Sequence, residues 1–486
     1  MKMKAVMALT ASLAVIGCAT GGLQGQGGSR SIAPQAAQAA AQQHPQVIEE
    51  FGGALSGNRA TYVTTVGRKV GAQSGIQGAG TGAYTFTALN SPVMNAFAVP
   101  GGYVYITRQL MGLMNDEAEL ASVLGHEVGH IAADHSAGRQ RSSILTQILA
   151  TGAAIFTGSS QLGQVVGQVA QLRQLSYSRN QEFESDDLGV RYIAGAGYDP
   201  AASASFLASL GAATSLESRA SGRNDERAVP NWARTHPLSA DRVTRASQRA
   251  QQTGTAGRGI RNRDQYLAMI DGLIVDDDPA QGIIDGRTFS HPDLRFRFSV
   301  PQGYGIQNGT RAVSVIGNGG QAQFSTGPFN GNLGTYIAQV LVAQAGQQVQ
   351  VPQPRTTTVN GIPAAYTTAR ASTQSGQVDV TVFAYRWDND IAYHFTMITP
   401  AGQGIGPFQS MVTSLARLGA SEAAAIRPRV IDVVTVGPRD TVQTLASRMA
   451  YTDLKTERFL TLNGLASNVR LTPGQKVKLV VYGTRS

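Results

Sequence analysis

The rhythm of hydrophobic and polar positions changes several times along the chain. From about Val47 to Gln252 it is mostly helical. Asn115-Asp116 can cap one helix, with Glu119 three residues after Asp116. Leu120, Val123, Leu124, Glu127 and Ile131 then recur at helical spacing. The stretch Val99 to Ile106 breaks this pattern and predicts a turn followed by a strand. From Leu294 to Val300, apolar Leu294, Phe296, Phe298 and Val300 alternate with Arg295, Arg297 and Ser299, as in a half-buried strand. Val378 to Phe383 repeats that period. Ile391, Tyr393, Phe395 and Met397 repeat it again after a turn at Asp388-Asn389-Asp390. Phe408, Met411, Val412, Leu415 and Leu418 mark one helix face. Residues 285–420 thus read as an α+β domain. The last segment, 430–483, predicts a strand, a turn with Asp440 as helix cap, and a helix carrying Val442, Leu445, Ala446 and Met449. Phe459, Leu462 and Asn463-Gly464-Leu465 follow, and Lys476 to Tyr482 reads as a closing strand.

Composition narrows the class. The chain has 486 residues, 42% hydrophobic and 15% charged, which excludes a mainly disordered or coiled-coil protein. At roughly 150 residues per domain, about three domains are expected. The 56 glycines predict many loops. The formal charge is +9, but the basic residues are dispersed. No nucleic-acid footprint is read from them. A single cysteine excludes an intrachain disulfide and a cysteine-ligated metal site.

That cysteine sits near the start. Lys2 and Lys4 precede an apolar stretch from Ala5 to Ile16, too short for the roughly 20 helical residues that span a bilayer. The stretch suits the core of a signal peptide at 1–17. It ends in Val15-Ile16-Gly17-Cys18, which resembles a bacterial lipobox. The resemblance implies lipidation of Cys18 and a membrane anchor. Ala19, rather than Asp, follows; by resemblance to enterobacterial sorting this favours the outer membrane, facing the periplasm. Residues 18–45 are rich in Gly, Ala, Gln and Ser and read as a flexible tether. No later run of 18 apolar residues exists. The apolar run Ile144 to Phe156 suits either a buried helix or one that dips into a surface.

The chemistry is concentrated at His126-Glu127-Val128-Gly129-His130. With 7 His and 11 Glu in the chain, an HExxH pattern is expected by chance only about 0.002 times. At positions i and i+4, His126 and His130 face the same way and can share one zinc ion. Glu127 lies beside the open coordination position, where it can act as general base toward the activated water. His135 falls off this spacing and reads as a loop residue or one behind the ligands. Catalytic zinc needs a third protein ligand, and Ser178 to Asp186 holds the best candidates. Glu182 as ligand, with Asp186 one turn later orienting an imidazole, is the gluzincin arrangement. Glu184 is the alternative ligand, but it has no acid four residues on. The helix carrying them is expected to end near Gly195 or Gly197, with another starting at Asp199-Pro200.

At this point the chain resembles the gluzincin metallopeptidases that include the HtpX, CAAX prenyl protease and BepA types. The matching residues are Asn95-Ala96-Phe97-Ala98 with Pro100-Gly101-Gly102, Glu117 to Ala121, the HEVGH helix, Ser178-Arg179 through Asp186, and His236-Pro237. The chain has no HtpX-like membrane helices, so the soluble branch fits better. The resemblance implies one zinc per chain held by His126, His130 and Glu182. It also implies that Asn95 to Ala98 belong to an edge strand that pairs with extended substrate. His236 has two possible roles by resemblance. It can occupy the open zinc position in a latent enzyme, or it can donate a hydrogen bond to the tetrahedral oxyanion.

The final segment resembles a LysM domain, which implies a βααβ module, with Arg439 where that family usually has Gly. The resemblance implies binding to peptidoglycan; a packing role is the alternative. The expected fold class is multidomain α+β, in six parts: signal peptide 1–17, tether 18–45, mainly helical gluzincin domain 46–252 with a small edge-strand sheet, connecting segment 253–284, α+β domain 285–420, and LysM-like module 430–483. The expected function is a zinc endopeptidase of the bacterial envelope acting on misfolded or unassembled proteins. Its expected partners are polypeptide substrates, peptidoglycan, and the membrane through its lipid anchor. The alternatives are a peptidoglycan peptidase, and a peptidoglycan-bound chaperone or scaffold with a structural zinc site.

Overall fold

The computed structural model describes residues 30–135, 177–221, 232, 236–237, 240–310, 312–345, 350–373 and 376–484. The expected signal peptide, Cys18 and the run Ile144 to Phe156 lie outside the described residues. No helix among the described residues is long and apolar enough to cross a membrane.

The first helix corrects the expected tether. Helix α1 (Pro34–Glu50) begins inside 18–45, with proline in its first turn. Ala-rich sequence reads as a linker by composition, yet Ala is also the best helix former. Here Ala36, Ala40 and Val47 are buried, and Ala40 and Val47 pack with Phe97, Val99 and Tyr105. Gly101, at φ +111, permits this approach: a Cβ there would come within 2.4 Å of the Ala36 carbonyl oxygen.

Helix α2 (Gly57–Gly71) leads to a three-stranded sheet of β1 (Thr85–Leu89), β2 (Ala96–Val99) and β3 (Tyr103–Thr107), ordered β1-β3-β2. Strands β1 and β3 are parallel; β2 and β3 are antiparallel, with Ala96 opposite Ile106. Strand β2 is therefore an edge. Among the described residues, α3 (Arg108–Leu113), α4 (Glu117–Ala132), α5 (Arg179–Gly195), α6 (Ala202–Ser221) and α7 (Ala240–Gln252) follow. Every residue of α4 from Glu117 to His130 is buried, as in a helix enclosed on all sides. Small residues let α5 press against it. A Cβ on Gly189 would lie 3.1 Å from the His126 nitrogen, and one on Gly129 would lie 3.1 Å from the Ser185 carbonyl. That crossing brings the histidines of α4 to the acids of α5.

The segment 253–284, expected to connect domains, is structured. It holds α8 (Arg263–Ile270) and β4 (Ile274–Val275). Tyr266, Leu267 and Ile270 are fully buried.

Next come β5 (Ile283–Asp285), β6 (Thr288–His291), β7 (Phe296–Ser299), β8 (Gly305–Asn308), β9 (Val313–Gly317), β10 (Gly320–Pro328) and α9 (Leu333–Ala345). They are followed by β11 (Arg355–Val359), β12 (Ile362–Thr373), β13 (Gly376–Arg386), β14 (Ile391–Pro400), α10 (Gln409–Ser414), β15 (Ala416–Arg417) and α11 (Ala420–Ala425). A seven-stranded antiparallel sheet has the order β11-β12-β13-β14-β10-β9-β8, and a four-stranded sheet the order β15-β7-β6-β5. Helix α9 covers one face of the large sheet through Tyr336, Ile337 and Leu341. The smaller sheet covers the other with Phe289, Phe296 and Phe298. Both faces of β13 are thus buried, and Val380 to Tyr385 are buried one after another. Leu294 departs from its expected place in a strand. It is 46% exposed in the turn before β7, where Arg295 takes φ +55. The apolar face near 408–418 is shared between α10, which stops at Ser414, and β15.

The chain closes with β16 (Arg429–Thr435), α12 (Val442–Ser447), α13 (Lys455–Leu462) and β17 (Lys476–Tyr482). Thr441, not Asp440, caps α12, accepting from the Thr444 N–H. Asp440 accepts from the Gly437 N–H at 2.7 Å and closes the turn. Strand β4 pairs with β16, and Ile431, Leu445, Phe459 and Leu479 share one buried cluster with Leu110, Leu120 and Tyr266. The C-terminal module and the helical domain therefore form one continuous core.

Candidate metal centre

Helix α4 starts firmly. Asp116 Oδ1 accepts from the Glu119 N–H at 2.9 Å, and Glu119 Oε2 accepts from the Asn115 N–H at 2.8 Å. This is a capping box shifted by one residue at its return bond. Helix α5 starts with a full box between Ser178 and Gln181. Both helices are fixed upstream of the side chains that meet between them.

Those side chains are His126, His130, Glu182 and His236, all buried, each offering one donor atom within 4.8 Å of the others. His126 Nε2 is 3.0 Å from His130 Nε2 and 3.2 Å from His236 Nδ1. His236 Nδ1 is 2.9 Å from Glu182 Oε1. Glu182 Oε1 is 3.5 Å from His130 Nε2, and Glu182 Oε2 is 3.5 Å from His126 Nε2. Four ligands at about 2.0–2.1 Å from a tetrahedral zinc ion stand roughly 3.3 Å apart. The donor set matches that spacing. It also matches the chemistry, because imidazole lone pairs brought this close need a shared cation between them.

The surroundings orient the donors. Asp186 Oδ1 lies 2.9 Å from His126 Nδ1, so with the proton on Nδ1 the Nε2 lone pair faces the cluster. His130 Nδ1 lies 2.9 Å from His135 Nδ1. His135 Nε2 in turn lies 3.2 Å from Glu184 Oε2. His135 thus stands behind a candidate ligand, and Glu184 reaches His135 rather than the cluster. Burial pushes His130 well below its ordinary value, which favours the neutral imidazole a metal needs. Burial alone would raise Asp186. Hydrogen bonds from Arg242 and His126 outweigh it and hold the carboxyl down at about 2. Glu182 is likewise held well below the usual carboxylate range against its burial, by the charge of His236 first.

Glu127 is fully buried beside the donors, and neither of its carboxylate oxygens accepts a hydrogen bond among the described residues. His236 Nε2 lies 3.6 Å from its Oε1. The residues expected to bind substrate sit on and just before β2. The Asn95 N–H donates to the Thr107 hydroxyl at 3.1 Å and the Asn95 carbonyl accepts from it at 3.0 Å, while the buried Asn95 Oδ1 has no hydrogen-bond partner among the described residues.

Three contacts were not read from the sequence. Arg242 is buried, donates hydrogen bonds to Asp186 and the His236 carbonyl, and forms an ion pair with Glu182. Its place six residues after His236 was the available signal. Trp232 stacks on His236 at 4.7 Å between ring centroids, and its backbone N–H donates to the Met94 carbonyl next to β2. The i, i+4 spacing of Trp232 and His236 could have paired them. Tyr177 stacks on His130 at 3.7 Å; nothing in its sequence context marks it.

Residues 58–250 match the model of peptidase family M48, and residues 434–480 match that of the LysM domain. The beta-barrel assembly-enhancing protease of Escherichia coli strain K12 is 33% identical over 178 residues, 35% of this chain and 35% of that protein. Its Yersinia pestis counterpart is 32% identical over 178 residues, with the same coverage of both chains. The mitochondrial metalloendopeptidase OMA1 of Arabidopsis thaliana is 33% identical over 124 residues, 25% of each chain. The matches span about a third of these relatives or less. The chain thus joins a domain of peptidase family M48 to a LysM domain.

Proposed function

We propose that the chain is a zinc endopeptidase of the bacterial cell envelope that cleaves misfolded or unassembled envelope proteins. The observation that carries this is Glu127. A buried carboxylate with no hydrogen-bond partner among the described residues is costly, and a purely structural zinc site has no use for one at this position. In the proposed site His126, His130 and Glu182 hold the metal, and Asp186 orients His126. A zinc ion there supplies Lewis acidity and lowers the pKa of bound water. Glu127 accepts the proton of the attacking water and returns it to the leaving amine. His236 would offer the fourth donor at rest. Asn95 to Ala98 present backbone to an extended substrate.

The names of the relatives support an envelope setting and protein substrates. The LysM domain supports contact with peptidoglycan, and Cys18 supplies the anchor at the outer membrane. The test uses Glu127→Gln in the full chain. The variant retains about one zinc per chain and loses at least about 100-fold in hydrolysis of an unfolded protein. Wild-type turnover in that variant would overturn the mechanism.

A further inference from the structure

Among the described residues, the most deeply buried lysine belongs to the C-terminal domain. Lys478 on β17 has no exposed surface. Its Nζ donates to three carbonyls, those of Gly112 at 2.8 Å, Leu113 at 3.0 Å and Met114 at 2.7 Å. Three acceptors use all three N–H donors of a protonated lysine. These carbonyls end α3, where a short helix leaves groups without internal partners and favours a cation. Lys478 is itself held by Asn463, whose Oδ1 accepts the Lys478 N–H at 2.7 Å and whose Nδ2 donates to the Lys478 carbonyl at 2.9 Å. Arg263 adds a parallel tie, donating to the Asn115 carbonyl at 2.8 Å and to the Lys476 carbonyl at 3.2 Å.

The pinned carbonyls are next to the start of α4. Met114 is followed by Asn115, whose N–H is held by Glu119 at 2.8 Å, and by the capping residue Asp116. His126 lies seven residues, two turns, beyond Glu119 on the same helical face. Helix α4 behaves as a rod of about 1.5 Å per residue, so His126 stands roughly 14 Å from its first residue. A tilt of about 5° at the start would move His126 by about 1 Å, a displacement that can cost about 100-fold in rate.

We propose that Lys478 is a positioning residue for the metal centre. From the LysM domain it fixes the junction between α3 and α4, and so sets where His126 and His130 stand. This rests on the zinc-peptidase reading above. It makes the LysM domain part of the machinery that aligns the site, in addition to any glycan it holds.

The test replaces Lys478 with Met in the full chain and measures three things: thermal midpoint, zinc dissociation constant by chelator competition, and kcat and KM on an unfolded protein. The expected result is a zinc dissociation constant raised tenfold or more and kcat lowered tenfold to a hundredfold, with KM within threefold. Leu341→Ala, in the separate core of the sheet domain, is the control for general destabilisation. It lowers the thermal midpoint comparably and leaves zinc affinity and kcat at wild-type values. Wild-type zinc affinity and kcat in Lys478→Met would overturn the proposal, and so would equal losses in Leu341→Ala. If Lys478→Met does not fold, Lys478→Gln keeps a shorter donor and is expected to show an intermediate shift; wild-type values there would overturn it too. A wild-type protein that binds no zinc would instead refute the underlying reading.

Discussion

Arg242 and Asp186, 56 residues apart, are joined by two hydrogen bonds, Nε to Oδ2 at 2.7 Å and Nη2 to Oδ1 at 2.8 Å, with both residues buried. The third guanidinium nitrogen lies 2.7 Å from Glu182 Oε2. One cation therefore neutralises both acids of the centre. Arg242→Leu leaves two buried carboxylates without it, and removing one partner of a buried ion pair costs about 3–5 kcal/mol. The variant is expected to melt well below the wild type and to hold substoichiometric zinc. A variant that melts like wild type with full zinc would show that Arg242 only fills space.

The α4–α5 crossing gives a second prediction with a built-in control. Gly189→Ala puts a methyl 3.1 Å from the His126 nitrogen, so the helices must separate and zinc affinity falls. Gly211→Ala on α6 meets nothing within 4 Å. It is expected to stabilise the protein by about 0.5–1 kcal/mol through helix propensity alone. Chelator competition and thermal melts read the two effects; equal zinc affinity in both variants would refute the close-packing argument.

His236 lies within the donor set rather than apart from it, with Nδ1 at 2.9 Å from Glu182 and 3.2 Å from His126. That placement favours the latent role over oxyanion donation. His236→Ala is expected to keep one zinc and to cleave an unfolded protein at least as fast as the wild type. Loss of an oxyanion donor would instead cost about 100-fold or more, and that result would reassign the residue.

His394 gives a pH signature far from the metal. It is buried against Tyr336, whose hydroxyl lies 2.8 Å from His394 Nδ1. Burial pushes its pKa from 6.5 down to about 4. Between those values the unfolded chain binds a proton that the folded chain does not, so stability rises with pH across that window. Acidification from 6.5 to 4 is expected to remove about 3 kcal/mol from the sheet domain. Denaturant titrations at several pH values check this. His394→Gln, which cannot titrate, should lack this component; an unchanged slope would assign it elsewhere.

What could be read in the sequence was what repeats locally. His126 and His130 are one turn apart, as are Glu182 and Asp186, and helical spacing alone orients each pair. The βααβ order of the last segment also lies within one short stretch. What could not be read depends on contacts across long separations. Lys478 meets Gly112 from 366 residues away, and no periodicity links them. The same limit explains why the C-terminal module looked independent, although β16 pairs with β4 and their cores merge. Helix α1 was misread for another reason: the Ala and Gln that suggest a linker are equally good in a helix, and only burial of Ala36 and Ala40 against the sheet decides between them.

Strand β2 is four residues long, and this has a consequence for the choice of client. An extended chain laid along so short an edge gains a few backbone hydrogen bonds, which any sequence can make. A client must first release a comparable stretch from its own secondary structure. On the proposed reading, the site then gauges how often a client frays rather than which residues it displays. When fraying is fast relative to cleavage, turnover follows the population of opened molecules. Each roughly 1.4 kcal/mol of lost local stability in a client should hasten its cleavage about tenfold.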